Sequence, residues 1–123
     1  MTEDADQIIT EFDELNALWK AADDALWKLK VPREVQVQAG DGLFLGWAKT
    51  GGRWRCCASG HLAGSDKVDV GWRPVLEVRL EDRVRLAHHL AVLKQKLLDA
   101  RGVLHGEVTA AAEAIRKALE DEQ

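Results

Sequence analysis

Two adjacent glycines, Gly51 and Gly52, stand between two strand-like runs, and this arrangement constrains the fold more than any other stretch of the chain. The runs are GLFLGWAKT (residues 42–50) and RWRCCAS (residues 53–59). Glycine readily adopts the positive φ angles that a tight two-residue hairpin loop requires. We therefore predict an antiparallel hairpin in which Thr50 and Arg53 flank the turn.

A turn of this length fixes which side chains share a face of the hairpin. Trp47 is predicted to lie opposite Cys56, and alternation along each strand then assigns every other side chain. The predicted core face carries Leu43, Leu45, Trp47, Trp54, Cys56 and Ala58. The opposite face carries Phe44, Gly46, Ala48, Arg53, Arg55, Cys57 and Ser59. Because the second set is half polar, we expect the outer face to be solvated or to bind a ligand.

Further strands are predicted on both sides of the hairpin. Residues 34–39 and 74–80 alternate apolar and polar side chains, as half-buried strands do. The turn signal Gly40-Asp41-Gly42 connects the first of them to the hairpin, and residues 60–72 form a long polar loop. The prediction is an antiparallel meander of three to four strands, at about 34–39, 42–49, 53–59 and 74–80.

Three helices complete the predicted fold. Apolar residues recur at three- and four-residue spacing over about 4–30, 81–100 and 106–121. Pro32 ends the first helix, and Arg101-Gly102 resembles an ordinary helix C-terminus. We predict an α+β fold and a single domain over residues 1–123, with the helices packed on one face of the sheet.

Composition and cysteine usage predict a cytoplasmic protein. Apolar residues make up 46% of the chain and charged residues 31%, which is typical of soluble domains. Cys56 and Cys57 are adjacent, so on a strand they point to opposite faces and do not pair; two free thiols favour a reducing compartment. No apolar run reaches the roughly 20 residues that span a bilayer, so no membrane partner is expected.

The formal net charge of −4 hides an uneven distribution. Residues 1–32 carry eight acids and three bases, residues 33–101 carry eight acids and twelve bases, and residues 102–123 carry five acids and two bases. The net charges of the three segments are therefore −5, +4 and −3. Acidic ends flanking a basic middle indicate which surfaces could attract a charged partner.

Residues with chemical potential do not form a recognisable catalytic or metal-binding pattern. Cysteine and histidine occur at Cys56, Cys57, His61, His88, His89 and His105, without the CxxC spacing typical of structural zinc sites. His61 or His88 could act as a base for a thiol nucleophile, and Arg53 and Arg55 would lower the pKa of a nearby thiol, but nothing in the local sequence places a helix N-terminus beneath it. No phosphate-binding glycine loop is present. We expect no cofactor, no metal, no catalytic residues and no enzymatic activity.

Basic and aromatic residues near the sheet suggest one candidate binding surface. Aromatic rings on an antiparallel sheet can stack on unpaired bases while arginines neutralise phosphates. The residues that would form such a surface are Phe44, Arg53, Arg55, Trp72 and Arg79. Single-stranded nucleic-acid binding is therefore the alternative function, and it should weaken steeply with added salt.

The leading hypothesis is a small non-catalytic interaction or regulatory protein. The first helix is longer than its own sheet requires, so part of its apolar stripe is free to contact a protein partner; the candidate residues are Ile8, Phe12, Leu15 and Trp19. Alanines in the third helix allow close helix approach. A homodimer through these helices is the simplest version. Four tryptophans, Trp19, Trp27, Trp47 and Trp54, are predicted in the core, and any that is exposed would be an interface anchor.

Overall fold

A computed structural model shows an α+β fold with a four-stranded antiparallel sheet. It describes the backbone of residues 2–62 and 69–120, and the side chains of residues 12–62 and 71–120. The helices are α1 (Thr2–Trp27), α2 (Leu80–Ala87) and α3 (Leu90–Glu120). The strands are β1 (Val35–Gly40), β2 (Leu43–Thr50), β3 (Arg53–Gly60) and β4 (Asp69–Pro74), in the spatial order β1-β2-β3-β4.

The predicted hairpin register is confirmed along its whole length. Thr50 pairs with Arg53, Trp47 with Cys56, and Leu43 with Gly60 at the far end. Gly51 and Gly52 have φ angles of 58° and 79°, which are those of a tight hairpin turn. The sequence of this turn is therefore sufficient to set the register of the central strand pair.

The core lies between the inner face of the sheet and the helices. Leu43, Leu45 and Trp47 of β2 are completely buried there. They pack in one cluster with residues of α1, α2 and α3, which include Trp19, Leu26, Leu86, Leu93 and Leu97. The Trp47 Nε1–H donates a hydrogen bond of 3.1 Å to the carbonyl oxygen of Val31. That bond ties the connection after α1 to the centre of the sheet.

The first helix ends slightly earlier than predicted. Its last turn closes at Trp27, and the N–H of Lys30 donates to the carbonyl oxygen of Trp27. Lys30 adopts a φ of 57°, the left-handed conformation that commonly terminates helices. The chain therefore leaves the helix before it reaches Pro32.

The predicted last strand, at residues 74–80, is wrong in position. The fourth strand is Asp69–Pro74, in the second half of the segment expected to be a loop; residues 63–68 of that loop lie outside the described residues. After Pro74 the chain forms a short 3₁₀ helix, Val75–Glu77. Val75 and Val78 are both buried, since a spacing of three places them on one side of that turn. The apolar residues of this segment therefore follow the spacing of a helical turn and not the alternation of a strand.

The two predicted C-terminal helices are divided differently in the structure. A break at His88 and His89 separates α2 from α3, although neither proline nor glycine marks it. Conversely, α3 continues without interruption through Gly102 and Gly106, where the prediction placed a helix end. Neither glycine has a positive φ angle. Each costs a helix interior only about 1 kcal/mol, which the surrounding leucines and alanines offset.

Candidate interaction surfaces

The outer face of the sheet is covered more extensively than the sequence suggested. The ring of Trp72, from β4, lies directly on Gly46, where any side chain would collide with it. The Trp72 Nε1–H donates a hydrogen bond to Glu34 Oε1. Phe44 is half-buried, and Ala48 and Cys57 are buried. Trp72 is therefore a packing residue that spans the sheet, with its ring face occupied by Gly46.

The predicted outer-face arginines lie beside α1. Arg53 and Arg55 line a groove of about 290 Å³ whose other residues include Lys20, Asp23 and Asp24. Trp72 and Arg79 do not line this groove, and Arg79 instead stands at the N-cap position of α2, exposed and without a side-chain capping hydrogen bond. The five predicted binding residues are thus distributed over separate places, and the arginines face a surface of mixed charge.

One edge of β3 extends beyond its neighbouring strand. The pairing between β3 and β4 ends at Cys57 and Pro74, so no described strand pairs with Arg53–Cys56 on that side. Alternation along the ladder directs the backbone groups of Trp54 and Cys56 toward this open edge. Asp23 of α1 covers part of it, because its Oδ1 accepts a hydrogen bond of 2.7 Å from the Cys56 N–H. A side chain thus replaces a missing strand.

Burial controls the ionisation of the groups around this contact. It raises the pKa of Asp23 above 3.8, although the hydrogen bond from Cys56 partly offsets the effect. Burial, with the nearby Asp23 carboxylate, also raises the pKa of the Cys56 thiol. Burial raises the pKa of Cys57 to about 11. Both thiols are therefore protonated near neutral pH, which does not favour nucleophilic chemistry.

A second groove lies at the turn end of the hairpin. It has a volume of about 370 Å³, and its lining includes Trp27, Lys49, Arg53 and Trp54 together with Asp23 and Asp24. Trp27 is 47% exposed, so the prediction that it belongs to the core is wrong. The Lys30 ammonium lies 4.7 Å from the centre of its ring, which is a cation–π contact. An exposed tryptophan and an open strand edge are adjacent here.

The candidate interface residues of α1 differ in exposure. Trp19 is only 3% exposed and belongs to the core, whereas Phe12 is exposed and Leu15 is half-buried against the core. The side chain of Ile8 lies outside the described residues. Beside them is an apolar groove of about 460 Å³, lined by Leu15, Leu18, Trp19, Ala22, Ala87 and Leu90 among others. The contact surface that the described part of α1 offers therefore consists of this groove, which includes the exposed Leu18, and of Phe12.

A long apolar stripe is exposed on the second half of α3. We define the α3 arm as residues 101–120, in which every side chain is exposed except the half-buried Leu104 and Ala112. Val108, Ile115 and Leu119 are 60%, 61% and 59% exposed. An ion pair of 2.8 Å between Arg33 and Glu107 holds the base of the arm. Beyond that contact the helix continues with an uncovered apolar stripe.

The sequence contained a signal for this arm that its interpretation missed. The stripe of Leu93 and Leu97, which are buried, continues at helical spacing through Leu104 and Val108. A stripe of more than 25 residues is longer than one small sheet can cover, and the same is true of the first helix. Placing a helix end at Gly102 concealed this continuity.

No group of three or more histidine, cysteine, aspartate or glutamate side chains in the described part of the chain is arranged to hold a metal ion. None of the described helices combines the length and the apolar character that crossing a membrane requires.

Comparison with known proteins identifies no family, since neither a family model, nor a curated protein, nor a solved structure matches the chain.

Proposed function

We propose that this chain is a small non-catalytic interaction protein that self-associates through its helices. The observation that carries the proposal is the α3 arm, a regular helix whose apolar stripe is exposed beyond its base except at the half-buried Ala112. Monomeric proteins rarely expose a continuous apolar surface of this length unless it contacts a partner. The arm is about 30 Å long at 1.5 Å per residue, which is long enough for helix–helix pairing.

Helix energetics support the same proposal. Helices in water derive most of their stability from packing of an apolar face, and isolated helices are marginal. The first half of α3 satisfies this requirement against the sheet, through the buried Leu93 and Leu97. Among the described residues, nothing buries the side chains of the arm beyond its base in this way. A second helix packed along its stripe would bury them.

The alanines of the arm suit close helix contact. Residues 109–114 read TAAAEA, so the middle of the stripe carries small side chains. Small residues allow two backbones to approach closely, while Val108 and Ile115 on either side supply the larger apolar contacts. The apolar groove beside α1 is a second surface that a partner would find exposed.

Single-stranded nucleic-acid binding has less support. Arg53 and Arg55 lie beside Asp23 and Asp24, whose carboxylates would repel phosphates. Trp72 has one ring face occupied by Gly46, which leaves it less surface for stacking on bases. We therefore keep this function as the alternative.

The test is the oligomeric state of two matched variants. Ile115→Glu places a charge in the stripe, whereas Ala110→Glu places the same charge on the opposite side of the helix, between one and two turns away. We expect the wild type and Ala110→Glu to dimerise, and Ile115→Glu to dimerise at least about tenfold more weakly, because interface anchors typically contribute 2 kcal/mol or more. Sedimentation or light scattering over a concentration series measures this. A monomeric wild type at high micromolar concentration would refute self-association.

A further inference from the structure

We propose that a second copy of this chain packs antiparallel along the α3 arm, with the two-fold axis passing between Ala111 and Ala112. The inference rests on the proposed self-association and specifies its geometry. It follows from the spacing of the stripe, from the charges at its two ends and from a groove at its base.

The apolar positions of the arm are symmetric about one point. Leu104 and Leu119, Val108 and Ile115, and Ala111 and Ala112 lie at equal distances on either side of the midpoint between residues 111 and 112. At about 100° per residue, all six side chains fall within about 50° of one line along the helix. A pattern that is unchanged by reversing the helix direction is self-complementary for antiparallel pairing.

Such pairing gives a specific set of contacts. A two-fold axis at the midpoint brings Val108 of one copy against Ile115 of the other, and this contact occurs twice. Ala111 and Ala112 meet their own counterparts at the axis, where small side chains let the backbones approach. Leu104 is brought beside Leu119 of the second copy, so the large side chains at the two ends of the stripe also meet. Each surface is therefore filled by the same surface of the other chain.

The charges at the two ends of the arm are also complementary. A groove of about 220 Å³ lies where the arm begins. Its lining includes the basic residues Lys30, which follows α1, and Arg101, together with His105, Leu104 and Val108. The far end carries Leu119 and Glu120, and the sequence continues with two further acids. Antiparallel pairing places Leu119 in the groove and Glu120 near Arg101 of the other copy. Parallel pairing would instead place the acidic ends together.

The size of the contact predicts its strength. The overlap from residue 104 to residue 119 is about 24 Å long at 1.5 Å per residue. Stable interfaces commonly bury roughly 800 Å² on each partner. The area that one pair of helices of this length can bury is at the low end of what stable interfaces show. We therefore expect a dimer that forms reversibly and depends on protein concentration.

Cysteine cross-linking of the full-length protein tests the register. The natural Cys56 and Cys57 are 2% and 0% exposed, so they leave a low background of cross-linking. In the antiparallel pair, Val108→Cys of one chain faces Ile115→Cys of another, whereas two copies of Val108→Cys are separated by about 10 Å along the helix, too far for a disulfide. After mild oxidation, a mixture of the two variants should form covalent dimers, and Val108→Cys alone should not.

A third variant keeps both large side chains of the stripe in place. Ala112→Cys lies next to the two-fold axis, so it should cross-link with its own counterpart, and Ala110→Cys, on the opposite side of the helix, should not. Cross-linking of Val108→Cys alone would show parallel pairing and overturn the antiparallel register. A wild type that dimerises in solution while neither the mixture nor Ala112→Cys cross-links would overturn this register but leave self-association intact. A monomeric wild type would overturn both.

Discussion

The two halves of α3 have the same kind of sequence but different surroundings. Over residues 90–100, Leu93 and Leu97 are completely buried against the sheet, and Lys96 reaches the carbonyl oxygen of Gln36 on β1. Over the α3 arm, Val108 and Ile115 occupy equivalent positions of the stripe and are mostly exposed. The helix is continuous across the boundary. Amphipathic pattern therefore forms the helix, but it does not determine what the apolar side packs against.

This contrast also separates folding from function within one element. The first half of α3 stabilises the domain, because its leucines fill the core cluster. The α3 arm contributes little to that core, so its apolar side chains are available for a partner. Substitutions in the first half should change stability, and substitutions in the arm should change assembly.

The largest expected difference is between Leu97→Ala and Ile115→Ala. Leu97 is completely buried, so its truncation leaves a cavity and should lower the free energy of unfolding by about 2–5 kcal/mol. Ile115 is exposed in the monomer, so its truncation should change that free energy by less than about 0.5 kcal/mol. Urea denaturation at a concentration that keeps the chain monomeric measures both. Equal losses would mean that the arm packs within its own chain.

A smaller difference in the free energy of unfolding is expected between alanine substitutions at two glycines, Gly46 and Gly106. A methyl group at Gly46 would lie 2.6 Å from Cζ3 of the Trp72 ring, so Gly46→Ala should displace that ring and lower the free energy of unfolding by about 1–3 kcal/mol. Nothing lies within 4 Å of the equivalent position at Gly106, so Gly106→Ala should stabilise the helix by about 1 kcal/mol. The two substitutions should therefore change the stability in opposite directions, and thermal unfolding followed by circular dichroism measures both changes. Destabilisation by Gly106→Ala would place an unrecognised contact on the arm.

The smallest expected effects concern the contact between α1 and the open edge of β3. Asp23→Ala leaves the Cys56 N–H without its acceptor and should lower the free energy of unfolding by about 1–2 kcal/mol. Asp23→Asn keeps an acceptor oxygen and removes the charge, so it should be closer to the wild type. Denaturant unfolding of both variants checks this order. A result in which the two variants lose equal stability would show that the charge, rather than the hydrogen bond, matters.

The pH dependence of this contact has a defined sign. Because burial raises the pKa of Asp23 in the folded state above 3.8, the folded chain binds that proton more tightly than the unfolded chain. The stabilisation is complete below about pH 4 and is lost as the pH rises through the folded pKa. Subtracting the unfolding free energies of Asp23→Asn from those of the wild type across this range isolates the effect. A difference that increases with pH would contradict the raised pKa.

Local sequence predicted the central part of the fold well. The register of β2 and β3 follows from Gly51 and Gly52 alone, because a two-residue turn leaves no freedom in pairing. The side chains assigned to the inner face, such as Leu45 and Trp47, are in the core as expected. Short-range turn chemistry and strand alternation contain this information within a few residues.

Elements whose limits depend on distant contacts were predicted less well. Nothing local marks the break at His88 and His89; it lies between Leu86 and Leu93, which are both completely buried. The fourth strand was not predicted, because the contact that fixes Trp72 on the sheet is made with Gly46, which is distant in the sequence. The candidate site was predicted in part: Arg53 and Arg55 do share a groove, but the acids beside them come from α1.

The hairpin, the class of the fold and the long amphipathic helices can all be predicted from the chain alone, because each depends on spacing between near neighbours. Which part of each apolar stripe is covered depends instead on contacts between distant parts of the chain. The sheet is wide enough to bury Leu93 and Leu97 but does not reach Val108 or Ile115. The exposed α3 arm is therefore a consequence of the limited size of the sheet relative to the length of the helix.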